Sequence, residues 1–432
     1  MKTTTKLNPI NPNLLPVTFD VGRDSLYAYT ETPLEANALN CLEETIANRS
    51  VSILKALEEF NKLALQHGFA GLCVLCEPTG GYERKLLRLA RQSGHFTAYL
   101  NAESVRKLRV VQSNDPGKSD LKDPKTMFIL AKLGKTLTHR VLSGPWLVLR
   151  EVHAYYEGLD QRNVALRCQI HKVLTQLFCE LSFKKDFLFE SPVIPALIRE
   201  FGFNPYRIVA AGQKTFYRKM KKHGVRLRTV ERLWNDAQAS VLQQLDPGYS
   251  DLLEANLCEL FEDFWRCGQR LEAAAQKMIA LLHQLQAQGQ VRLHACPGLI
   301  NDFLLARILA ETGPLEDFRS WPQLLRYAGM NLCERQSGTM VGPRRISKKG
   351  RTLLRKVLGQ AVLPRVRKSD LYGTYYHAKK ARGMVGQKAM MAVARKFLKV
   401  LWGLDRSAQS FDRKRIFCCA SQFAEQSKAL AA

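Results

Sequence analysis

Between residues 14 and 140, short apolar runs alternate with stretches of helical period. The runs "LPVTFDVG", "SLYAYT", "AGLCVLCEP" and "HFTAYL" have the length and composition of strands, and helices are predicted near 51–67, near 82–93 and from about Asp123. Strands alternating with helices predict an α/β layer fold. The period then changes. Leu149, Val152, Tyr156, Leu159, Asn163, Leu166, Ile170, Val173 and Leu177 are spaced alternately three and four apart, and a second such seam runs from Leu253 to Leu285. This is coiled-coil spacing. The two helices either fold back as an antiparallel arm, pair with another protomer, or serve as core helices of a bundle. Asn163, polar at a seam position, would fix register or oligomer state. Residues 181–250 read as an irregular insert, and from about residue 291 the chain is helical, glycine-punctuated and basic. The predicted segments are 14–140, 141–290, 291–410 and a tail, 411–432.

Charge narrows the function classes. The 432 residues carry 65 Lys+Arg against 39 Asp+Glu, a formal net charge of +26, which points to a polyanion partner, nucleic acid first. From Asn331 to Ala432 there are 23 Lys+Arg and 5 Asp+Glu, so the C-terminal part is the expected contact surface. A smaller basic run, "KTFYRKMKKHGVRLR" at 214–228, is either a solvated helix face or a nucleic-acid surface on which Phe216 and Tyr217 stack against bases. No stretch has the apolar length of a membrane span, and the N-terminus lacks a signal peptide's apolar segment. A cytoplasmic, nucleoid-associated protein is expected. Eleven cysteines without framework spacing read as reduced thiols. Cys73 and Cys76 form a CxxC, but inside a buried-strand pattern that argues against zinc.

Four carboxylates stand at positions suited to chemistry. Asp20 lies near the end of a predicted strand, just before Gly22, and Glu77 directly follows another, at the strand end where ligands bind in open α/β sheets. Asp120 and Asp123 stand three apart at the entry to a helix, on one face if that turn is helical. Converging acids repel unless a cation holds them. Magnesium suits such oxygen ligands, and two ions could orient the attacking and leaving oxygens of a phosphodiester. Acids at strand ends and helix starts also serve as caps, and spacing alone leaves both readings open.

"FDVG", "EPTGGYE" and "KSDLKDP", in this order, resemble the DEDD acids of insertion-sequence transposases of the IS110 family. "CPGLINDFLLARILAETGPLEDFRSWPQLLRYAGM" and "ERQSGTMVGPRRISKKGRTLLRKVL" are similar to that family's second transposase domain. The resemblance covers roughly 16–140 and 291–400. It implies a RuvC-like, ribonuclease-H-like N-terminal domain in which Asp20, Glu77, Asp120 and Asp123 bind Mg2+, a coiled-coil middle, and a mainly α-helical C-terminal domain. Ser337 of "QSG" would be the nucleophile that joins a DNA phosphate. A serine hydroxyl needs activation, which the acids supply only if the two domains meet, within one chain or between protomers.

The implied protein is a DNA recombinase acting on donor and target DNA, guided by a structured noncoding bridge RNA, and at least a dimer. Arg344 and Arg345 are candidate phosphate contacts. Ser347, followed by Lys348, Lys349 and Arg351, reads as a helix N-cap beside a phosphate-binding surface. Two departures stand out. The middle region is long, and Pro124 replaces the family's usual alanine, which would push Asp123 from helical angles. Pro16 would shorten the first strand. The alternatives are a site-specific invertase of the same architecture, a Holliday-junction-resolvase-like nuclease with Ser337 structural, and a non-catalytic nucleic-acid binder.

Overall fold

The computed structural model describes residues 11–33, 39–113, 122–182, 185–294, 296, 299–334, 336–337, 340–342, 344–368, 370, 372–407 and 411. The chain forms two compact units, Met1–Val141 and Leu142–Ala432. In the first unit, β1 (Leu15–Val21), β2 (Ser25–Pro33) and β3 (Leu39–Ala47) form an antiparallel meander. Helix α1 (Ser50–Gln66) leads to β4 (Leu72–Cys76), which runs parallel to β1. Then come α2 (Glu83–Gln92), β5 (Phe96–Leu100), α3 (Ala102–Ser113), α4 (Lys122–Lys132) and β6 (Thr136–Thr138). The strands make one mixed six-stranded sheet, ordered β3-β2-β1-β4-β5-β6.

Strand alternation divides this sheet into two chemically distinct faces. Leu15, Val17, Phe19 and Val21 of β1, with Leu72, Val74 and Cys76 of β4, pack against Ile53, Leu57 and Phe60 of α1 and Leu86 and Leu87 of α2. Cys73 and Leu75 point the other way, to Val105 of α3 and Met127 and Leu130 of α4. The CxxC thiols therefore lie on opposite faces, which precludes a shared ion. Pro16 sits at the second residue of β1 without truncating it, and its carbonyl accepts the Thr30 hydroxyl at 2.8 Å.

The second unit is built on α5 (Gly144–Leu177). After it come α6 (Lys185–Glu190), α7 (Val193–Phe201), α8 (Pro205–Ala210), α9 (Gln213–Lys222) and α10 (Leu227–Ser240), and then α11 (Pro247–Ala287). Contacts of Arg162 with Asp263, Cys267 with the Leu159 carbonyl and Tyr249 with Gln176 show that α5 and α11 run antiparallel. The two seams are thus used against each other within the chain, and Asn163 is half-buried among them.

The segment expected to be irregular is instead a helical lobe sharing one core with the far half of this pair. Its short helices end or begin at glycines and prolines. Gly202 caps α7 at φ 62, and Asn204 caps α8, accepting the Tyr206 N–H at 2.9 Å with Pro205 in the first turn. Asn204 also donates to Ser250 and Glu254 of α11, at 3.0 and 2.9 Å, and Arg207 Nε lies 2.6 Å from Glu254. These bonds seat the lobe on the arm.

The remaining elements are α12 (Asp302–Thr312), α13 (Trp321–Tyr327), β7 (Leu332–Cys333), β8 (Gln336–Ser337), β9 (Met340–Val341), β10 (Arg345–Ile346), α14 (Thr352–Val362), α15 (Gly373–Ala381) and α16 (Gly386–Ser407). They enclose a core that includes Leu142, just before α5, Trp146 and Leu149 of α5, and Met278 and Leu282 of α11. Among the described residues no helix is long and apolar enough to cross a membrane.

A buried charge network joins α5 to α12 and α14. Arg150 donates to the Ala310 and Glu311 carbonyls at 3.0 and 2.9 Å, satisfying the C-terminal end of α12. His153 lies 3.2 Å from Glu311 and 3.3 Å from Glu157. Arg307 pairs with Glu157 and donates to Gln360 at 2.9 Å, and Lys356 bridges Glu157 and Asp160 at 2.7 and 2.9 Å. Arg351 binds Glu311 through two nitrogens, at 2.9 and 3.2 Å. Burial alone would raise the Glu311 carboxyl, but hydrogen bonds from His153 and Arg351 outweigh it and hold it at about 2. Burial likewise opposes ionisation of Glu157, and Lys356 and Arg307 reverse that direction.

Two outcomes follow for stability. A Cβ at Gly202 would stand 2.0 Å from Glu254 Oε1, in a left-handed backbone, so Gly202→Ala should lower unfolding free energy by about 2–3 kcal/mol in urea titration. Glu311, lowered from an ordinary value near 4.5 to about 2, contributes stability that is full above pH 4.5 and lost as pH falls toward 2. That contribution is about 3 kcal/mol. Glu311→Gln should remove this part of the acid dependence, read by unfolding at stepped pH.

Candidate active-site residues

The face of the sheet opposite α1 and α2 carries the acids. Thr18, two residues before Asp20 and so on the same face of β1, donates its hydroxyl to the Pro124 carbonyl at 2.8 Å. That bond places the first turn of α4, with Asp123, against this face. In the parallel pairing of β1 with β4, Phe19 stands opposite Cys76, so the next residues, Asp20 and Glu77, are neighbours at the carboxyl edge of the two strands. Both are half-buried. Asp20 and Glu77 therefore stand side by side, and the first turn of α4 brings Asp123 to the same face of the sheet. Asp120 lies outside the described residues.

The turn after Glu77 is held by Glu83, whose carboxylate accepts from the Gly81 N–H at 2.8 Å and from the Thr79 hydroxyl at 3.0 Å. Burial first, then the Glu83 and Glu77 charges, push the Cys76 thiol well above its usual range. This thiol is inert packing.

Asp123 lies inside the first turn of α4, with Pro124 next to it. The expected displacement from the helix does not occur, because a proline this close to the start removes an N–H that has no helical acceptor. Asp123 is 6% exposed, and Arg109 Nη2 of α3 lies 2.5 Å from its Oδ1. Among the described residues that oxygen nevertheless accepts no well-aligned hydrogen bond. No three His, Cys, Asp or Glu side chains among the described residues are grouped to hold an ion as they stand. The donor chemistry still fits a hard divalent cation: carboxylates from three elements, one carrying a buried oxygen without a formed hydrogen bond.

Ser337 ends the two-residue strand β8, opposite Met340 of β9, and is exposed. Arg345 pairs with Cys333 in the small β7–β10 sheet, and Arg344 Nη2 lies 2.9 Å from Glu334. Lys348 and Lys349 are exposed, whereas Arg351 gives its guanidinium to Glu311. Ser347 is not an N-cap. Arg351 occupies that position, and the Ser347 hydroxyl bonds Asn331 at 2.5 Å while its N–H bonds the Asn331 carbonyl at 2.9 Å. The tract "SKKG" is thus folded back on "GMN" and cannot also start the helix. Phe216 is fully buried against Phe201 and Trp234, so it offers no base-stacking surface.

Sequence reasoning passed over Thr18, Arg109 and Glu83. Glu83 had a signal, an acid in the first turn of a predicted helix, and Thr18 had the strand alternation. Arg109 had none, since its partner lies on another helix.

Comparison with known proteins gives two matches in chain order. Residues 20–179 match the DEDD transposase model named for IS110, and residues 291–377 match the Transposase IS116/IS110/IS902 family. The first span holds Asp20, Glu77, Asp120 and Asp123; the second holds Ser337. The chain is also 21% identical over 404 residues to the insertion element IS110 uncharacterized 43.6 kDa protein of Streptomyces coelicolor, covering 91% of this chain and 95% of that protein. DEDD transposases generally use divalent metal ions. With both matched spans in order across an α/β sheet unit and a helical unit, the chain belongs to the IS110 family of transposases, enzymes that cleave and transfer DNA.

Proposed function

We propose that this transposase recombines donor and target DNA with two groups of residues, an acidic Mg2+ site at Asp20, Glu77, Asp120 and Asp123 and a serine nucleophile at Ser337. The observation that carries the proposal is that Asp20 and Glu77 adjoin at the carboxyl edge of β1 and β4 while Asp123 enters on the same face of the sheet. The strand order supports a ribonuclease-H-like, RuvC-like reading of the first unit. The paired seams support a coiled-coil reading of the α5–α11 arm. The net charge of +26 supports a nucleic-acid partner larger than one DNA duplex, and we read it as a structured guide RNA together with DNA, in a homo-oligomer of the bacterial or archaeal cytoplasm.

Bound divalent metal would supply charge neutralisation at the scissile phosphate and lower the barrier to releasing an anionic oxygen. Asp20, Glu77, Asp120 and Asp123 would hold it. Arg109 pairs with the buried Asp123 side chain, and Thr18 sets the height of α4 on the sheet. In the exchange step the Ser337 Oγ–phosphorus bond forms as the phosphorus–oxygen bond of the DNA strand breaks. The serine proton leaves to a base, and the released DNA oxygen takes one up. Among the described residues no side chain hydrogen-bonds the Ser337 hydroxyl, which needs a base or a metal to activate it. Arg344, Arg345, Lys348 and Lys349 would hold flanking phosphates as point charges.

The test is a denaturing gel of labelled DNA incubated with each variant. Asp20→Asn, Glu77→Gln and Asp123→Asn should each reduce strand cleavage by 100-fold or more, about 3 kcal/mol of transition-state stabilisation. Ser337→Ala should bind DNA normally but form no protease-sensitive protein–DNA band and no recombinant. Recombination by Ser337→Ala at the parental rate would assign the attack to water, as in a resolvase.

A further inference from the structure

The helical lobe carries a charged surface that the acids and the serine do not use. Between residues 212 and 232 there are eight Lys+Arg and a single acid, Glu231. Lys214, Arg218, Lys221 and Lys222 of α9 are all exposed, and their spacing of four, three and one puts them on one helix face. The opposite face is fixed: Phe216 and Met220 are fully buried in the lobe core. The turn through Gly224, at φ 70, sets Arg226 and Arg228 at the start of α10, also exposed. Glu200 engages Lys219 and His223, each at 2.9 Å, whereas Lys214, Arg218, Lys221, Lys222, Arg226 and Arg228 have no ion-pair partner among the described residues.

We infer that this ridge of the lobe binds the phosphate backbone of duplex DNA, as a contact separate from the C-terminal basic surface. Six cations between residues 214 and 228, with no acid among them, form an electrostatic track on a rigid frame, and each phosphate they neutralise releases counterions. Single strands are gripped by exposed aromatic platforms. Here the rings in the run are Phe216, buried, Tyr217, half-buried with its ring edge-on to Phe216, and His223, half-buried and held by Glu200. The ridge therefore offers charge without stacking, which suits a duplex and reads no sequence. The choice of DNA rests on the family's action on DNA, and not on the roles of Ser337 or the acids.

The test compares full-length protein with a variant combining Lys214→Gln, Arg218→Gln, Lys221→Gln and Lys222→Gln. Binding to labelled duplex DNA of random sequence, to RNA duplex and to single-stranded DNA is measured over a salt series, without reading cleavage. The four side chains are exposed, so the melting temperature should not change. On duplex DNA the log–log salt slope should become shallower by about three to four, so that from 50 to 200 mM salt the parent loses on the order of 100-fold more affinity than the variant. Glu200→Gln, which releases Lys219, should steepen the slope by about one. Equal slopes for parent and quadruple variant on duplex DNA, or a loss confined to RNA duplex or to single strands, would overturn the inference. Strand cleavage by the parent plays no part in the readout, so failure here is distinguishable from failure of the serine or metal assignment.

Discussion

Buried between α5, α12 and α14, Glu157 and Glu311 could not stay ionised without Arg307, Arg351 and Lys356, and those cations would not leave water without the carboxylates. Taking such groups out of water costs several kcal/mol per ion, so the network is not an efficient source of stability. An apolar joint of equal volume would hold the three helices as firmly. It would not fix their sliding, because apolar contacts are non-directional. Arg150, His153, Glu157 and Asp160 lie three, four and three apart on one face of α5, and each has its own partner across the joint. Shifting α5 by one turn would leave buried charges unpaired. The network therefore sets the register of the arm against the serine-bearing region.

That register reaches the basic tract through Arg351. Its N–H bonds the Tyr327 carbonyl at 3.0 Å, and the Tyr327 hydroxyl donates to the Glu311 carbonyl at 2.9 Å. Lys348, at φ 56, and Gly350 fold the tract against Gly329, where a Cβ on Gly350 would stand 2.4 Å from the Tyr327 carbonyl oxygen. Five consecutive polar or glycine residues thus divide their duties by position. Ser347, Gly350 and Arg351 hold the turn, and Lys348 and Lys349 are exposed to solvent.

Much of the sheet unit was legible because its strands are short apolar runs with a period of two, and the same alternation carries Asp20 to the face that meets α4. β3 escaped because it is an edge strand whose Glu43, Glu44 and Thr45 are exposed, so its pattern is polar. The lobe escaped for another reason. Its helices are only six to fourteen residues long, too short for periodicity to declare itself, although Gly202, Gly212 and Gly224 punctuate it as helix stops. Phe216 was ambiguous in sequence, since an aromatic among lysines fits a stacking surface and a buried anchor equally well. The seams predicted the helices but not their partner, which depends on the connection. The charge network was not legible at all, because His153, Arg307 and Lys356 come from three distant segments and only the fold makes them neighbours.

The two ends of the arm are held by different physics. At its root, directional ion pairs admit one register. Near its tip, Phe178, Phe203, Phe216 and Phe261 are fully buried, with Phe178 and Phe203 edge to face at 5.8 Å, and polar bonds such as those of Asn204 with Glu254 and Tyr249 with Gln176 add directional ties. Aromatic packing of this kind supplies large buried area with tolerance for repacking, whereas a charge network that slips leaves ions unpaired in the interior. The tip can therefore accept changes in its short helices so long as their apolar anchors remain, while the root accepts few. A surface such as the α9 ridge, carried on the tolerant end, is free to change its charges without disturbing the joint that positions the serine hairpin.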